Sequence, residues 1–117
     1  MSLGINKTYM DVFDVILRDT EFAEIYETGI ANGPLTNAEK IRFAQFINKF
    51  LALVESIYTV HKSKVGMFLD DYDEAFMLNN PYLQKLLETE VGSHWFKHEA
   101  QLTFSEEFLT IIKKFNN

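Results

Sequence analysis

The sequence predicts an all-α fold: one compact bundle of about five helices around a long central helix, with no sheet. Apolar residues recur at three- and four-residue spacing, and no run shows sustained strict alternation. The chain has only 2 Pro and 5 Gly among 117 residues, which favours long regular elements. A hydrophobic fraction of 47% can supply one core, so residues 1–117 are expected to form a single helical domain.

Two short helices are expected before the central one. The first helical pattern runs from about Lys7 to Arg18. Asp19 can cap a second helix, because its carboxylate can accept free N–H groups of the first turn. Gly29 is the expected end of that helix, since glycine is the commonest residue just past a helix end.

The central helix is predicted over residues 36–64. Thr36 and Glu39 form the capping-box pattern T-x-x-E, in which each side chain satisfies a free backbone N–H near the other. Apolar residues then cover about half of the helical circumference. They are Phe43, Phe46, Ile47, Phe50, Leu51, Leu53, Val54, Ile57, Tyr58 and Val60. We therefore expect one face of this helix to be buried along its full length.

Three further helical segments are expected. A fourth helix starts near residue 70 and breaks at Pro81, which can restart it from the first helical position. A short helix is predicted around residues 94–99. Ser105 caps the last helix, whose first turn is acidic.

Composition excludes several functions. The formal charge of −6 disfavours nucleic acid and anionic lipid as partners, and no basic cluster offsets it. The absence of cysteine excludes disulfides and thiolate metal sites. No glycine-rich phosphate loop and no nucleophile elbow is present. We expect no cofactor and no catalytic residue, although an enzyme that uses a general base stays open.

The sequence contains no predicted membrane span or signal peptide. A spanning helix needs about 20 predominantly apolar residues, whereas the uncharged run 50–54 of the most apolar helix has a charged residue at each end. Residues 1–8 lack the apolar stretch of a signal peptide. Residues 1–6 begin with Met-Ser-Leu, a common recombinant start, and are expected to be disordered or expression-derived. We expect a cytoplasmic location.

Several short motifs follow one another along most of residues 10–115. They are Asp19-Thr20-Glu21-Phe22-Ala23-Glu24-Ile25-Tyr26 with Gly29, then Leu35, Glu39 and Arg42-Phe43, then Glu55 and Tyr58, then Gly92, Trp95-Phe96 and Phe104-Ser105-Glu106-Glu107-Phe108. Their order resembles a family of uncharacterised bacterial all-helical domains, often found behind N-terminal membrane helices. Thr20 and Phe96 stand where that family has Pro and Trp, and Pro81 interrupts the pattern. The resemblance implies the helical fold and an upstream membrane tether, but no activity.

One candidate metal site lies near the C-terminus. His94 and His98 are four residues apart, so on one helix they face the same way and can share a metal ion. Glu99 is a candidate third ligand. The segment HWFKH lacks the glutamate that serves as general base in HExxH. The alternative is that both histidines are ordinary solvated residues.

A candidate ligand pocket lies near the end of the central helix. His61 falls near the middle of the apolar face, with Tyr58 and Glu55 one turn or more away. The alternative is that the helix is already emerging from the core there. An aromatic pocket could be lined by Trp95, Phe96 and Tyr82, although such residues are more often core.

These observations favour a non-catalytic interaction or sensor module that binds a protein partner or forms a homo-oligomer. The alternative is a small-molecule or metal-binding domain with a pocket near Glu55, Tyr58 and His61. An exposed apolar patch would favour the first hypothesis, and a closed pocket with converging polar groups would favour the second.

Overall fold

The computed structural model describes the chain at residue 14 and over residues 18–65 and 81–114, with residues 57, 60–65 and 81 described by their backbone alone. These parts contain five α-helices, one 3-10 helix and no strand, which confirms the predicted all-α bundle. The helices are α1 (Thr20–Ile30), α2 (Asn37–Val65), α3 (Pro81–Glu88), α4 (Glu90–His98) and α5 (Glu106–Lys113), with the 3-10 helix at Ala100–Leu102. The predicted first helix and the start of the fourth lie outside the described residues, apart from residues 14 and 18, which are helical.

Polar contacts fix the start of α1. The Asp19 carboxylate accepts the N–H of Phe22 at 3.1 Å, so the predicted cap is confirmed. From α2, the Arg42 guanidinium donates to Asp19 at 3.3 Å and to Glu21 at 2.7 Å. It also lies 5.7 Å from the centroid of the Phe22 ring. Because these ion pairs are exposed, each contributes no more than about 1 kcal/mol, and their main effect is to orient α1.

Helix α1 ends at Ile30, one residue past the predicted end, but Gly29 is not its terminator. Gly29 lies inside the helix, where an added β-carbon would be 2.7 Å from the Phe43 ring, so glycine serves the close approach of α1 and α2. Asn32 makes the turn instead, with a φ of 56° that asparagine tolerates better than most residues. Its side-chain oxygen accepts the N–H of Glu90 at 2.8 Å, which ties the loop after α1 to the start of α4.

The central helix is confirmed, with bounds within one residue of the prediction. At its start, the Thr36 N–H donates to the Glu39 carboxylate at 2.8 Å, and the Glu39 N–H donates to the Thr36 hydroxyl at 3.1 Å. Helix α2 packs against α1, α3 and α4. Its fully buried side chains are Phe43, Ile47, Phe50, Leu51 and Val54. Each stabilises the fold by about 1.5–3 kcal/mol through apolar burial.

The corner between α3 and α4 differs from the prediction. Pro81 begins α3 as expected, but the helix predicted over residues 94–99 begins at Glu90. Its cap is Thr89, whose buried hydroxyl accepts the Gly92 N–H at 2.9 Å and donates to the Leu86 carbonyl at 2.7 Å. The sequence signal is weak because glycine occupies the third position after the cap, where a capping box carries Glu or Gln.

The last helix matches its prediction. The Ser105 hydroxyl accepts the N–H of Phe108 at 3.2 Å, and Glu106 and Glu107 occupy the first turn. Phe108 and Ile112 are buried in the same core as α2. Within the described ranges, no helix is both long and apolar enough to cross a membrane.

Candidate functional site

Two residues of the predicted ligand pocket contact the start of α5. The Glu55 carboxylate accepts the N–H and the hydroxyl of Ser105, each at 3.4 Å. The Tyr58 hydroxyl donates to the Glu107 carboxylate at 3.3 Å. These contacts give both side chains a role in holding α5 against α2. His61 lies in α2, but its side chain is outside the described set, so the pocket near these three residues stays a prediction.

The two histidines of the predicted metal site are neighbours on the exposed side of α4. The ring centroids of His94 and His98 are 4.4 Å apart, and the rings are tilted by 44°. Glu99, the candidate third ligand, is the C-cap of α4. Over the described ranges, no three His, Asp or Glu side chains come close enough together to hold a metal ion. The structure therefore brings the pair together, and no third ligand joins it from the part of the chain that is described.

Trp95 is mainly a core residue. Its side chain is only 5% exposed, and its ring packs edge-on against Phe104, with centroids 6.1 Å apart. Its small exposed part lines a groove on the surface. Trp95 therefore belongs both to the core and to the lining of this groove, and the aromatic pocket stays a prediction.

This groove, which we call the α2–α4 groove, has a volume of about 790 Å³. Its lining residues are Lys40, Ile41, Ala44, Gln45 and Asn48 from α2, Glu90, Val91, His94 and Trp95 from α4, and Glu99, Leu102 and Thr103 beyond α4. The α2 positions 41, 44, 45 and 48 follow the spacing of one helical face, as do 91, 94 and 95 of α4. Two helical faces therefore form its walls.

Strongly exposed apolar side chains concentrate at this groove. Ile41 is 60% exposed and Leu102 is 81% exposed, and both line it. Among the described residues, the third large apolar side chain of this kind is Tyr82, which is 56% exposed and lies outside the groove. Single exposed apolar residues are ordinary, but two beside one groove indicate a contact surface.

Sequence reasoning missed Ile41 and Leu102. Ile41 carried a usable signal, because it falls outside the apolar face of the central helix and is flanked by Lys40 and Arg42. An isoleucine in that setting has no core position to occupy. Leu102 gave no comparable signal, since its exposure depends on how the short 3-10 helix is oriented after α4.

A second cavity, of about 1040 Å³, lies among α3, α4 and α5. Lys97 and Lys113 line it together with Glu88 and Glu106, so its charges are balanced. A balanced and open lining favours neither an anion nor a cation. This cavity therefore gives less indication of a ligand than the α2–α4 groove does.

One tyrosine of α1, Tyr26, has a raised pKa. The Tyr26 ring packs edge-on against Phe43 and Phe46, with centroids 6.3 and 5.5 Å away. Burial raises the pKa of Tyr26 above its usual value of 10.0, and the nearby Tyr82 adds to the rise. The folded protein thus favours the neutral phenol. Because this group is outside both cavities, we connect it with stability and not with chemistry.

This shift predicts an alkaline loss of stability. A raised pKa in the folded state leaves its contribution complete below the unfolded value, and the contribution falls as the pH rises beyond about 10. Tyr26→Phe should therefore lose less stability than the wild type as the pH is raised above about 10 in urea denaturation. Tyr82→Phe should have a smaller effect in the same direction. Identical pH profiles for the wild type and Tyr26→Phe would contradict the assignment.

Comparison with known proteins adds no relative. No protein-family model matches the chain, and neither the curated proteins nor the solved structures give a match. The α2–α4 groove and the histidine pair are therefore the features of this protein that indicate a function.

Proposed function

We propose that this protein is a non-catalytic interaction module whose α2–α4 groove binds a short amphipathic helix of a partner protein. The observation that carries the proposal is the exposure of Ile41 and Leu102 beside one groove that Trp95 also lines. Covering each exposed aliphatic side chain would favour binding by up to about 1.5–3 kcal/mol. The largely buried Trp95 adds an apolar surface to the same groove.

The walls of the groove favour a helix as the occupant. A helix presents apolar anchors at positions i, i+3, i+4 and i+7, and such a row fits a groove between two other helices. The volume of about 790 Å³ is also within the range of small-molecule pockets. Such pockets, however, enclose most of their ligand, whereas Ile41 and Leu102 extend into solvent. The larger partner is therefore the better fit.

Charge favours a basic polar face on that helix. Among the described residues, Glu90 and Glu99 line the groove together with one lysine, Lys40, and the whole chain carries −6. Complementary charges mainly steer encounter and select between partners. The same net charge disfavours a second copy of this chain as the occupant, because two acidic surfaces repel each other. We therefore expect lysine or arginine beside the apolar anchors of the partner.

The sequence resemblance contributes one further element to the proposal. Members of the resembling family often follow membrane helices, so the natural protein would hold this module near a membrane through an upstream segment. The groove of a membrane-tethered module would then recruit its partner protein to the membrane. Expressing the natural gene product with a reporter and fractionating the cells would test the tether separately from the groove.

The groove is tested by selection from a displayed library of helical peptides in which both the apolar and the polar positions are randomised. Selection should enrich Leu-rich anchors with basic flanks, because the groove is apolar and its charged lining is mostly acidic. Fluorescence anisotropy should then show that Ile41→Ser with Leu102→Ser weakens binding at least about tenfold, a modest loss for two apolar contacts. Tyr82→Ser is the matched control, since it removes an exposed apolar side chain outside the groove.

Three results would count against the proposal. The first is a library from which no helix is enriched. The second is an enriched peptide that binds the double variant as tightly as the wild type. The third is a homodimer, detected by analytical ultracentrifugation, that the double variant dissociates, since the groove would then belong to a second copy of the chain.

A further inference from the structure

We infer that His94 and His98 form a binding site for a divalent transition-metal ion at the edge of the α2–α4 groove. The two side chains are exposed, are one helical turn apart on α4, and have ring centroids 4.4 Å apart. This site goes beyond the proposed interaction function and does not depend on it.

The chemistry of the pair determines which ions it selects. Neutral imidazole suits zinc, copper and nickel, whereas calcium and magnesium prefer oxygen ligands. A zinc ion needs its nitrogen ligands at about 2.0–2.1 Å. Both rings are exposed, so they can turn toward one ion without disturbing the core. The chain has no cysteine that could compete for the ion.

The number of protein ligands determines how tightly the histidine pair should bind a metal ion. Two histidines leave at least two positions for water in a tetrahedral site. Within the described residues no carboxylate converges on the pair, so the site is open and weaker than a structural zinc site. Among divalent ions, copper should bind most tightly, in keeping with the general order of affinities for nitrogen ligands.

Metal binding would also affect the groove. An ion held by His94 and His98 links adjacent turns of α4, and this helix forms one wall of the groove. A ligand that binds only the folded state raises its stability by RT ln(1 + L/Kd), where L is the free ligand concentration. We therefore expect the metal to stabilise α4 locally and to raise the melting temperature of the domain.

The test uses the full chain with zinc, nickel or copper ions alone, in a buffer that does not chelate metals. Calorimetry should give one ion per chain, and the NMR signals of two imidazole rings should shift. His94→Asn and His98→Asn should each weaken binding at least about tenfold, because each leaves a single ligand. Asparagine and histidine have similar helix propensities, so α4 itself should be little changed.

His61→Asn is the matched control, because it removes the third histidine of the chain from a different helix. It should leave the affinity unchanged. Without metal, the melting temperatures of His94→Asn and His98→Asn should match the wild type, because both side chains are exposed, and this separates a lost ligand from a damaged fold. Binding by His98→Asn that equals the wild type would overturn the inference. Loss of binding in His61→Asn alone would do the same.

Discussion

Gly92→Ala should destabilise the protein by about 3 kcal/mol or more, which is near the upper end for single substitutions. A β-carbon at residue 92 would lie 2.0 Å from the carbonyl oxygen of Leu86 and 2.8 Å from the hydroxyl oxygen of Thr89. That carbonyl accepts the Thr89 hydroxyl, which in turn caps α4. Neither atom can move away without breaking the contacts that join α3 to α4.

The sign of the result is informative, because helix propensity acts in the opposite direction. In an unconstrained helix, Gly→Ala stabilises by about 1 kcal/mol. Urea denaturation of Gly92→Ala should instead show a lower midpoint, with Ser93→Ala as the neighbouring control. Residue 93 is exposed, so its substitution should change stability by no more than about 0.5 kcal/mol. If Gly92→Ala were more stable than the wild type, the space between residue 92 and the Leu86 carbonyl would have to be larger than in this structure.

Phe43→Ala should destabilise the protein by about 3–5 kcal/mol, as expected for removing a fully buried phenylalanine. The Phe43 side chain has no exposed surface, and it occupies the space beside Gly29. Gly29→Ala alone should also destabilise, by about 1–3 kcal/mol, because the new methyl group would overlap the ring. The two costs share one cause, so they should not add.

A double-mutant cycle measures that coupling. In Gly29→Ala with Phe43→Ala, the methyl group enters space that the ring has left, so the loss should be smaller than the sum of the single losses. Phe50→Ala provides the control, since Phe50 is equally buried but lies two turns further along α2. Its combination with Gly29→Ala should be additive within about 0.5 kcal/mol. Additivity in the Phe43 cycle would contradict the close approach of α1 and α2.

The candidate site was only partly predictable from sequence. His94 and Trp95 were both expected to bind a ligand, and both line the α2–α4 groove. Ile41 and Leu102, which carry the proposal, were missed. Glu55 and Tyr58 were expected to line a pocket, but their described contacts are with α5. Polarity alone cannot distinguish a residue that binds a ligand from one that joins two helices.

Local features were determined by the sequence itself. Asp19, the Thr36–Glu39 box and Ser105 cap their helices as predicted, and Pro81 begins α3. Each of these signals acts within one turn of helix, through hydrogen bonds between residues three positions apart or through a fixed φ angle. Neighbouring residues therefore contain all the information that such a prediction needs.

Only the tertiary structure decided the features that join distant segments. Residue 29 must be glycine because the Phe43 ring of α2 lies where a β-carbon would be. Asn32 accepts the N–H of Glu90 at the start of α4, 58 positions later in the chain. The α2–α4 groove likewise combines residues from two helices and the segment that follows them. Whether an apolar side chain is core or contact surface depends on which helix packs over it. That packing is a property of the whole bundle, so no local pattern encodes it.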